Sequence, residues 1–301
     1  MSNLILNTPG GQGQLPAGKV FVGAKNNNGT VVNGFTNKLF VIDLENLPDP
    51  YNPLNLPKNT IRVRFANGYT PPSTLGDTQE LVDGSRNIWD IYQRSNNWNH
   101  LFSGIEELIE VLGGNTKNVT GMGWMFNNCT SLVTVKLFSM ENVVFGQLQN
   151  FAMFNNCTSL VNVPQFYFPN LTVIGQMLYN CTSLITVPKF ETAHVTSMYN
   201  MFAYCSSLET VPLLDMKNVT NCDYMFNSCT SLKYIPFFDL SSADIANDMF
   251  NKCVKVESGA LDIYNSIKND PPSDHVRMFY NCGRDTQTGS AELAQIPSDW
   301  K

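Results

Sequence analysis

The chain has 301 residues, of which 43% are hydrophobic, so it can hold one large or two ordinary domains with a real core. Only 15% of its residues are charged, and the segment from Asn115 to Cys253 contains six lysines, no arginine and eight acidic residues. Binding of nucleic acid requires a clustered basic face, so the composition argues against a nucleic-acid partner.

Residues 1–57 are rich in glycine and asparagine, and they contain two short β-like runs, Lys19–Val22 and Lys38–Ile42. Four prolines between residues 48 and 57 follow these runs. The pattern predicts a β-rich arm or attachment module with a Pro-rich linker, and a plain extended tail is the alternative. The first residues have no charged segment followed by an apolar stretch, so we expect no signal peptide. No run is long and apolar enough to predict membrane insertion.

Residues 58–114 are predicted to form an N-terminal cap, since the first unit of a repeat series has no upstream neighbour. Thr60–Phe65 alternates between apolar and polar residues, which predicts a half-buried strand. Asn87–Tyr92 is compatible with a second strand or a helical turn. The apolar spacing from Trp98 to Leu112 predicts an amphipathic helix that ends at the two glycines after it.

A repeat is the strongest signal in the sequence. Met-Phe or Met-Leu pairs begin at residues 125, 153, 177, 201, 225, 249 and 278, and most of them are 24 residues apart. Each of these methionines is followed four residues later by a cysteine, which gives a column of seven: Cys129, Cys157, Cys181, Cys205, Cys229, Cys253 and Cys282. A period of 24 lies inside the range of about 20–29 residues that is typical of leucine-rich repeats.

Each unit is predicted to be a helical turn followed by a short strand. Met and Cys at i and i+4 would share one helix face, and Leu132, Val135 and Leu137 illustrate the L-x-x-L-x-L spacing of the strand. A proline recurs seven residues after the cysteine in four units and cannot donate to a strand ladder, so strands of three or four residues are expected. The predicted fold is therefore an α/β repeat solenoid over residues 115–282, with a helix at Ala260–Ile267 and a C-terminal cap at 283–301, where Leu293, Ile296 and Trp300 would close the last unit.

The cysteine column is predicted to be an inward row of small buried thiols, because free cysteine is among the most buried residue types. Disulfides between units and a metal site are the alternatives, although the chain has no C-x-x-C pair and only three scattered histidines. Asn128, Asn156 and Asn180 stand in N-x-Thr sequons that the repeat itself generates. We interpret them as turn or capping residues rather than as glycosylation sites.

No catalytic motif is present. Asp215 and Asp239, which are 24 residues apart, are better explained as turn residues of the repeat than as a catalytic pair. The sequence thus predicts a non-enzymatic protein without cofactor or metal. What it offers instead is a weakly charged surface of outward-facing strand positions, and these are the candidate binding residues: Thr134, Lys136, Asn162, Thr186, Thr210, Lys233 and Tyr234.

The units Met-Phe-Asn-Asn-Cys-Thr-Ser-Leu at 125–132 and 153–160, and Met-Phe-Asn-Ser-Cys-Thr-Ser-Leu at 225–232, resemble BspA-like leucine-rich repeat proteins. The family occurs on bacterial surfaces and in tailed phages, so the resemblance implies adhesion or recognition and supplies no catalytic residues. Because surface members usually carry a secretion signal, the expectation is a phage virion fibre on the head or tail, made in the host cytoplasm. A bacterial cell-surface or secreted adhesin is the alternative.

In that reading, residues 1–57 attach to other virion or surface proteins, and the repeats bind a glycan or protein of the host surface. Whether the arm also forms a homo-oligomer stays open.

Overall fold

A computed structural model describes residues 19–21, 41–43, 54, 56–82, 86–144 and 151–301. The chain divides into two compact units, Met1–Asp49 and Pro50–Lys301. In the first unit, strand β1 (Lys19–Phe21) pairs antiparallel with strand β2 (Val41–Asp43), with Val20 opposite Ile42. The rest of the predicted arm lies outside the described residues.

The second unit begins with a five-stranded mixed sheet in the order β4-β5-β3-β6-β7. All neighbours are antiparallel except β6 and β7, which are parallel. The strands are β3 (Thr60–Phe65), β4 (Asp77–Val82), β5 (Asn87–Tyr92), β6 (Leu108–Asn115) and β7 (Thr134–Val135), and a 3-10 turn at Ser73–Leu75 precedes β4. The strand predicted at Thr60–Phe65 is confirmed, and Asn87–Tyr92 is a strand rather than a helical turn.

The central strand β3 shows why this part of the chain forms a sheet. Its residues Ile61, Val63 and Phe65 are fully buried, as the alternation predicts. On the opposite face, Arg62 Nε lies 2.7 Å from Asp90 Oδ1 on β5, and Arg64 Nε lies 2.9 Å from Glu110 Oε2 on β6. These two arginines therefore hold neighbouring strands together through cross-strand ion pairs.

The helix predicted from Trp98 to Leu112 is wrong. The backbone N–H groups of Trp98, His100 and Phe102 donate to carbonyls about 23 residues ahead, at Gly121, Gly123 and Met125. These bonds replace the i to i−4 bonds that a helix requires. The second half of the segment belongs to strand β6, so the apolar spacing reflects one more repeat-like turn followed by a strand.

The prediction of an α/β repeat solenoid is also wrong. The described repeats contain turns and single parallel bridges, and the second unit's regular elements are the five-stranded sheet and two short helices. Within each turn the N–H groups alternate: Met125 and Asn127 donate to the carbonyl three residues back, whereas Phe126 and Asn128 donate to Met153 and Asn155 of the next repeat.

Two left-handed residues per turn explain why no helix forms. In the unit of Cys129 these are Trp124, with φ 53°, and Asn128, with φ 59°. The same two positions have positive φ in the following units: Ala152 and Asn156, Gln176 and Asn180, Asn200 and Tyr204, Tyr224 and Ser228, Asp248 and Lys252, Arg277 and Asn281. A right-handed helix cannot continue through such residues.

The spacing of the buried side chains overturns the leucine-rich-repeat strand pattern as well. From Cys129 to Cys229, the buried positions after each column cysteine come at intervals of three, for example at Leu208, Val211 and Leu214. Leu213 is 56% exposed and Phe237 is 61% exposed, although the L-x-x-L-x-L pattern placed both in the core. The buried row nine residues after the cysteine is Phe138, Phe166, Phe190, Leu214 and Phe238.

Two short helices lie at the C-terminal end. The helix predicted at Ala260–Ile267 is confirmed as α1, and α2 spans Gln287–Gln295, followed by a 3-10 turn at Ser298–Trp300. The ring of Trp300 lies 5.3 Å from that of Tyr264 on α1, and its carbonyl accepts a bond from Phe279 N–H. In the part of the chain that the structure describes, no helix is long and apolar enough to cross a membrane.

Candidate functional site

The predicted binding residues lie along a row of backbone hydrogen bonds that joins successive repeats. The residue four positions after the column cysteine donates its N–H to the equivalent carbonyl of the preceding repeat, at 2.8–3.4 Å. The pairs are Val133 to Ile109, Val161 to Val133, Ile185 to Val161, Glu209 to Ile185, Lys233 to Glu209 and Glu257 to Lys233. We call the seven candidate residues beside this row the strand-side stripe: Thr134, Lys136, Asn162, Thr186, Thr210, Lys233 and Tyr234.

The first part of the strand-side stripe is uncharged apart from Lys136. Thr134 lies in β7 and forms a parallel bridge with Asn162, while Thr186 bridges to Thr210 in the same manner. The hydroxyl of Thr210 donates to that of Thr186 at 3.3 Å. Lys136, Asn162, Thr186 and Thr210 are all exposed, and Thr134 is half-buried. The structure therefore places these side chains in neighbouring pairs on an accessible surface.

At the C-terminal end of the stripe, Lys233 and Tyr234 each pair with an acidic residue of an adjacent repeat. Lys233 Nζ lies 2.6 Å from Glu209 Oε2, and this contact lowers the pKa of Glu209 and raises that of Lys233. Tyr234, which is 50% exposed, donates its hydroxyl to Glu257 Oε2 at 3.1 Å, and the pKa of the phenol is raised by that bond. Each of these pairs connects adjacent repeats, so the side chains are held by neighbours and still face solvent.

The cysteines take no part in an accessible site. All eight are free and buried, which confirms the interpretation of the column as structural thiols. From Cys129 to Cys253 each column Sγ donates to the carbonyl of the preceding repeat, as in Cys129 to Phe102 at 3.0 Å and Cys205 to Leu178 at 3.0 Å. Burial raises the pKa of both thiols to about 12. The described residues include no group of three potential metal ligands.

Other polar residues of the repeat also serve the backbone. Asp215 Oδ1 accepts from Lys217 N–H and Asp239 Oδ1 accepts from Ser241 N–H, both at 3.1 Å, which is the turn role expected of them. The sequon residues Asn128, Asn156 and Asn180 occupy left-handed positions of the turns, where asparagine is favoured. Their interpretation as turn residues is confirmed.

The sequence matches the profile of a family described as "Mycoplasma protein of unknown function, DUF285" over residues 80–160 and 146–264, which together cover more than half of the chain. The chain belongs to this family. DUF285 is associated with BspA-like surface repeat proteins, so the resemblance to BspA-like proteins holds at that level. No curated protein and no solved structure matches the chain.

Two exposed residues close to the stripe of this DUF285 protein were not identified from its sequence. Leu213 and Phe237 follow the repeat prolines Pro212 and Pro236 and occupy equivalent positions in adjacent repeats. The L-x-x-L-x-L spacing places both in the strand core, yet Leu213 is 56% and Phe237 is 61% exposed. A pattern in the sequence could have identified them. Leu214 and Phe238 continue the three-residue spacing of buried positions, so Leu213 and Phe237 must face outward.

Proposed function

We propose that this protein is a non-enzymatic recognition protein displayed on a biological surface, and that the strand-side stripe binds a glycan or protein of a host surface. The observation that carries the proposal is the continuity of the stripe: exposed Thr, Asn, Lys and Tyr side chains recur beside an unbroken row of hydrogen bonds from Ile109 to Glu257. A rigid row of this kind places equivalent side chains at regular intervals, which suits an extended or repetitive ligand.

The association of DUF285 with surface repeat proteins supports display at a surface. As the carrier we propose a tailed-phage virion, in which the protein is a head or tail fibre and residues 1–57 attach to other virion proteins. A bacterial cell-surface or secreted adhesin is the second candidate, and it is the one that the family's association favours. Both candidates share the same chemistry at the stripe.

The binding proposal is tested with the labelled full-length protein and intact host cells. We expect that Thr186→Arg combined with Thr210→Arg weakens cell binding about tenfold, because large charged side chains obstruct the middle of the stripe. Thr196→Arg and Thr220→Arg form the matched control, since these threonines are also exposed and one repeat apart but lie outside the stripe, next to the bridge between Ser197 and Asn221. Equal cell binding by both double variants would show that the stripe is not the binding surface.

The carrier is tested separately. If the protein is a fibre, antibodies should detect it in gradient-purified virions. If it is an adhesin, antibodies should detect it in the fraction of bacterial proteins that is labelled when intact cells are biotinylated at their surface. Detection only in the fraction of cell proteins that is not biotinylated, and not in virions, would contradict display on either surface.

A further inference from the structure

A second surface lies just before and after the column cysteines, apart from the strand-side stripe. It contains asparagine, threonine and tyrosine side chains from four consecutive repeats. We call it the amide–aromatic patch: Asn128, Asn156, Tyr179, Asn180, Thr182 and Tyr204. These side chains are exposed or half-buried, and none of them carries a charge.

The amides of the patch are held in a ladder. Asn156 Nδ2 donates to Asn128 Oδ1 at 2.8 Å, and Asn180 Nδ2 donates to Asn156 Oδ1 at 2.9 Å. An asparagine amide has two N–H donors, so Asn156 and Asn180 each use one in the ladder and keep a second. Beside them, the hydroxyl of Thr182 donates to the carbonyl of Thr158 at 3.1 Å. The polar groups are therefore fixed in orientation before any ligand arrives, which lowers the entropic cost of binding.

Tyr204 interrupts the row of asparagines at a conformational cost. It has φ 64° at the position that Asn128, Asn156 and Asn180 occupy in the preceding repeats. Stability alone favours asparagine at such a left-handed position, because a larger side chain is strained there. The ring is 46% exposed and meets that of Tyr179 edge to face, with centroids 5.4 Å apart. Because positive φ recurs in every turn, what distinguishes Tyr204 is its exposed ring, which forms an aromatic pair beside the amide ladder.

We propose that the amide–aromatic patch binds an uncharged saccharide chain that runs along the repeats. Such a ligand has hydroxyl groups that pair with amides and threonines, and its rings present C–H faces that pack against tyrosine. The absence of charge among the patch residues disfavours acidic or basic ligands, which would lose their hydration without gaining a partner.

The spacing of the repeats fits the same ligand. The rings of the buried phenylalanine column are 5.5 Å apart between Phe102 and Phe126 and 5.3 Å apart between Phe126 and Phe154. These ring separations are close to the length of one sugar ring in an extended polysaccharide, so successive sugar rings would lie near equivalent amides.

The test uses the full-length protein in affinity electrophoresis against dextran, mannan and cellulose-derived oligosaccharides, with heparin as the charged comparison. We expect retention by at least one neutral glycan and none by heparin. Tyr204→Asn removes the ring while relieving the backbone strain, so the variant should fold at least as well as the original and still bind about tenfold more weakly. Tyr167→Ala, which removes an equally exposed ring (46%) outside both surfaces, is the control and should leave retention unchanged.

The outcomes separate this proposal from the function of the stripe. If no neutral glycan is retained, or if Tyr167→Ala weakens retention while Tyr204→Asn does not, the patch is not a saccharide site. Loss of host-cell binding in the Thr186 and Thr210 variants would still support the stripe in either case.

Discussion

Gly175 lies beneath the phenol ring of Tyr199 in the following repeat. A β-carbon built on Gly175 would stand 2.3 Å from Tyr199 Cε1 and 2.5 Å from Cδ1, which is closer than any real contact of this kind. Both residues come six positions before their column cysteine. Gly175 is buried and has no unusual backbone angle, so its role is to leave room for the ring.

We therefore expect Gly175→Ala to lower the free energy of unfolding by about 1–3 kcal/mol through overpacking. In a Tyr199→Ala background the same substitution should cost much less, because the ring that the methyl group meets is gone. Urea denaturation of the four proteins in this double-mutant cycle measures the coupling. An equal loss in both backgrounds would show that the ring is not the obstacle.

The neighbouring leucines of one repeat provide a test of the three-residue spacing. Leu214 is 1% exposed and Leu213 is 56% exposed. Leu214→Ala should lower the free energy of unfolding by about 2–5 kcal/mol because it leaves a cavity, whereas Leu213→Ala should change it by less than about 0.5 kcal/mol. Chemical denaturation measures both. The L-x-x-L-x-L pattern predicts the opposite order, so the comparison decides between the two registers.

Single elements of the fold could be predicted where a local pattern is sufficient, although the fold class could not. Strand β3 alternates regularly between buried residues and arginines, and helix α1 carries a clear apolar face, so both were found from sequence. The cysteine column was predicted to be buried because a small apolar residue that recurs in every unit belongs in a shared core.

The repeats were misread because Met125 and Cys129 have a spacing that also fits a helix face. Their actual backbone depends on hydrogen bonds to the next repeat, as in Phe126 to Met153, and no local pattern contains that information. Asn128 was a clue, since asparagine tolerates positive φ, but its partner position holds Trp124, which gives no such hint.

The candidate site was predicted in part. Thr186 and Thr210 were identified as outward-facing from their place beside buried residues, and the structure exposes both. The ion pair between Lys233 and Glu209 was not predicted, although both residues come four positions after their column cysteine in adjacent repeats. The binding role of the stripe stays a prediction.

Lys252 offers a simple way to stabilise the protein. It is exposed, has φ 61°, and donates its backbone N–H to Tyr280 of the next repeat at 2.8 Å. Asparagine adopts this conformation more readily than lysine, so Lys252→Asn should raise the free energy of unfolding by about 0.5–1 kcal/mol. Lys255→Asn, also exposed but without a positive φ, is the control and should give no gain in urea denaturation. A similar gain in both would attribute the effect to charge instead of backbone strain.

The buried thiols predict a distinct chemical behaviour. At pH 8 the native protein should react very slowly with a thiol reagent, because burial raises the pKa of Cys129 and Cys205 to about 12 and keeps the reactive thiolate scarce. After unfolding in guanidinium, all eight cysteines should react. Rapid reaction of the native protein would mean that the repeats open easily. A count well below eight in the unfolded protein would show that disulfides had formed.

Asp223 is placed where its charge is unfavourable. Its Oδ1 atom is buried without a hydrogen-bond partner among the described residues. The pKa of its carboxyl is raised from 3.8 to about 6, first by burial and then by the nearby carboxylates of Asp274 and Asp248, while a hydrogen bond from Asn247 opposes the shift. The guanidinium of Arg277 pairs with Asp248 at 2.7 Å, and none of the ion pairs among the described residues includes Asp223.

Because the folded protein binds the Asp223 proton more tightly than the unfolded chain does, this group favours folding at low pH. Its stabilising effect is lost as the pH rises through about 6. Asp223→Asn should therefore raise the free energy of unfolding at pH 7.5 by about 1 kcal/mol, less than the full shift would give because the carboxyl is partly solvated. Near pH 4 the variant and the original protein should be equally stable.

The matched control is Asp239→Asn, since hydrogen bonds from Ser241 lower the pKa of Asp239. A carboxyl with a lowered pKa favours folding at neutral pH, so this variant should lose stability at pH 7.5, where Asp223→Asn gains it. Urea denaturation of both variants and the original protein from pH 4 to pH 7.5 measures the two trends. If Asp223→Asn raises the free energy of unfolding by the same amount at every pH, the substitution acts through packing or hydrogen bonding. Protonation of Asp223 would then not be the cause.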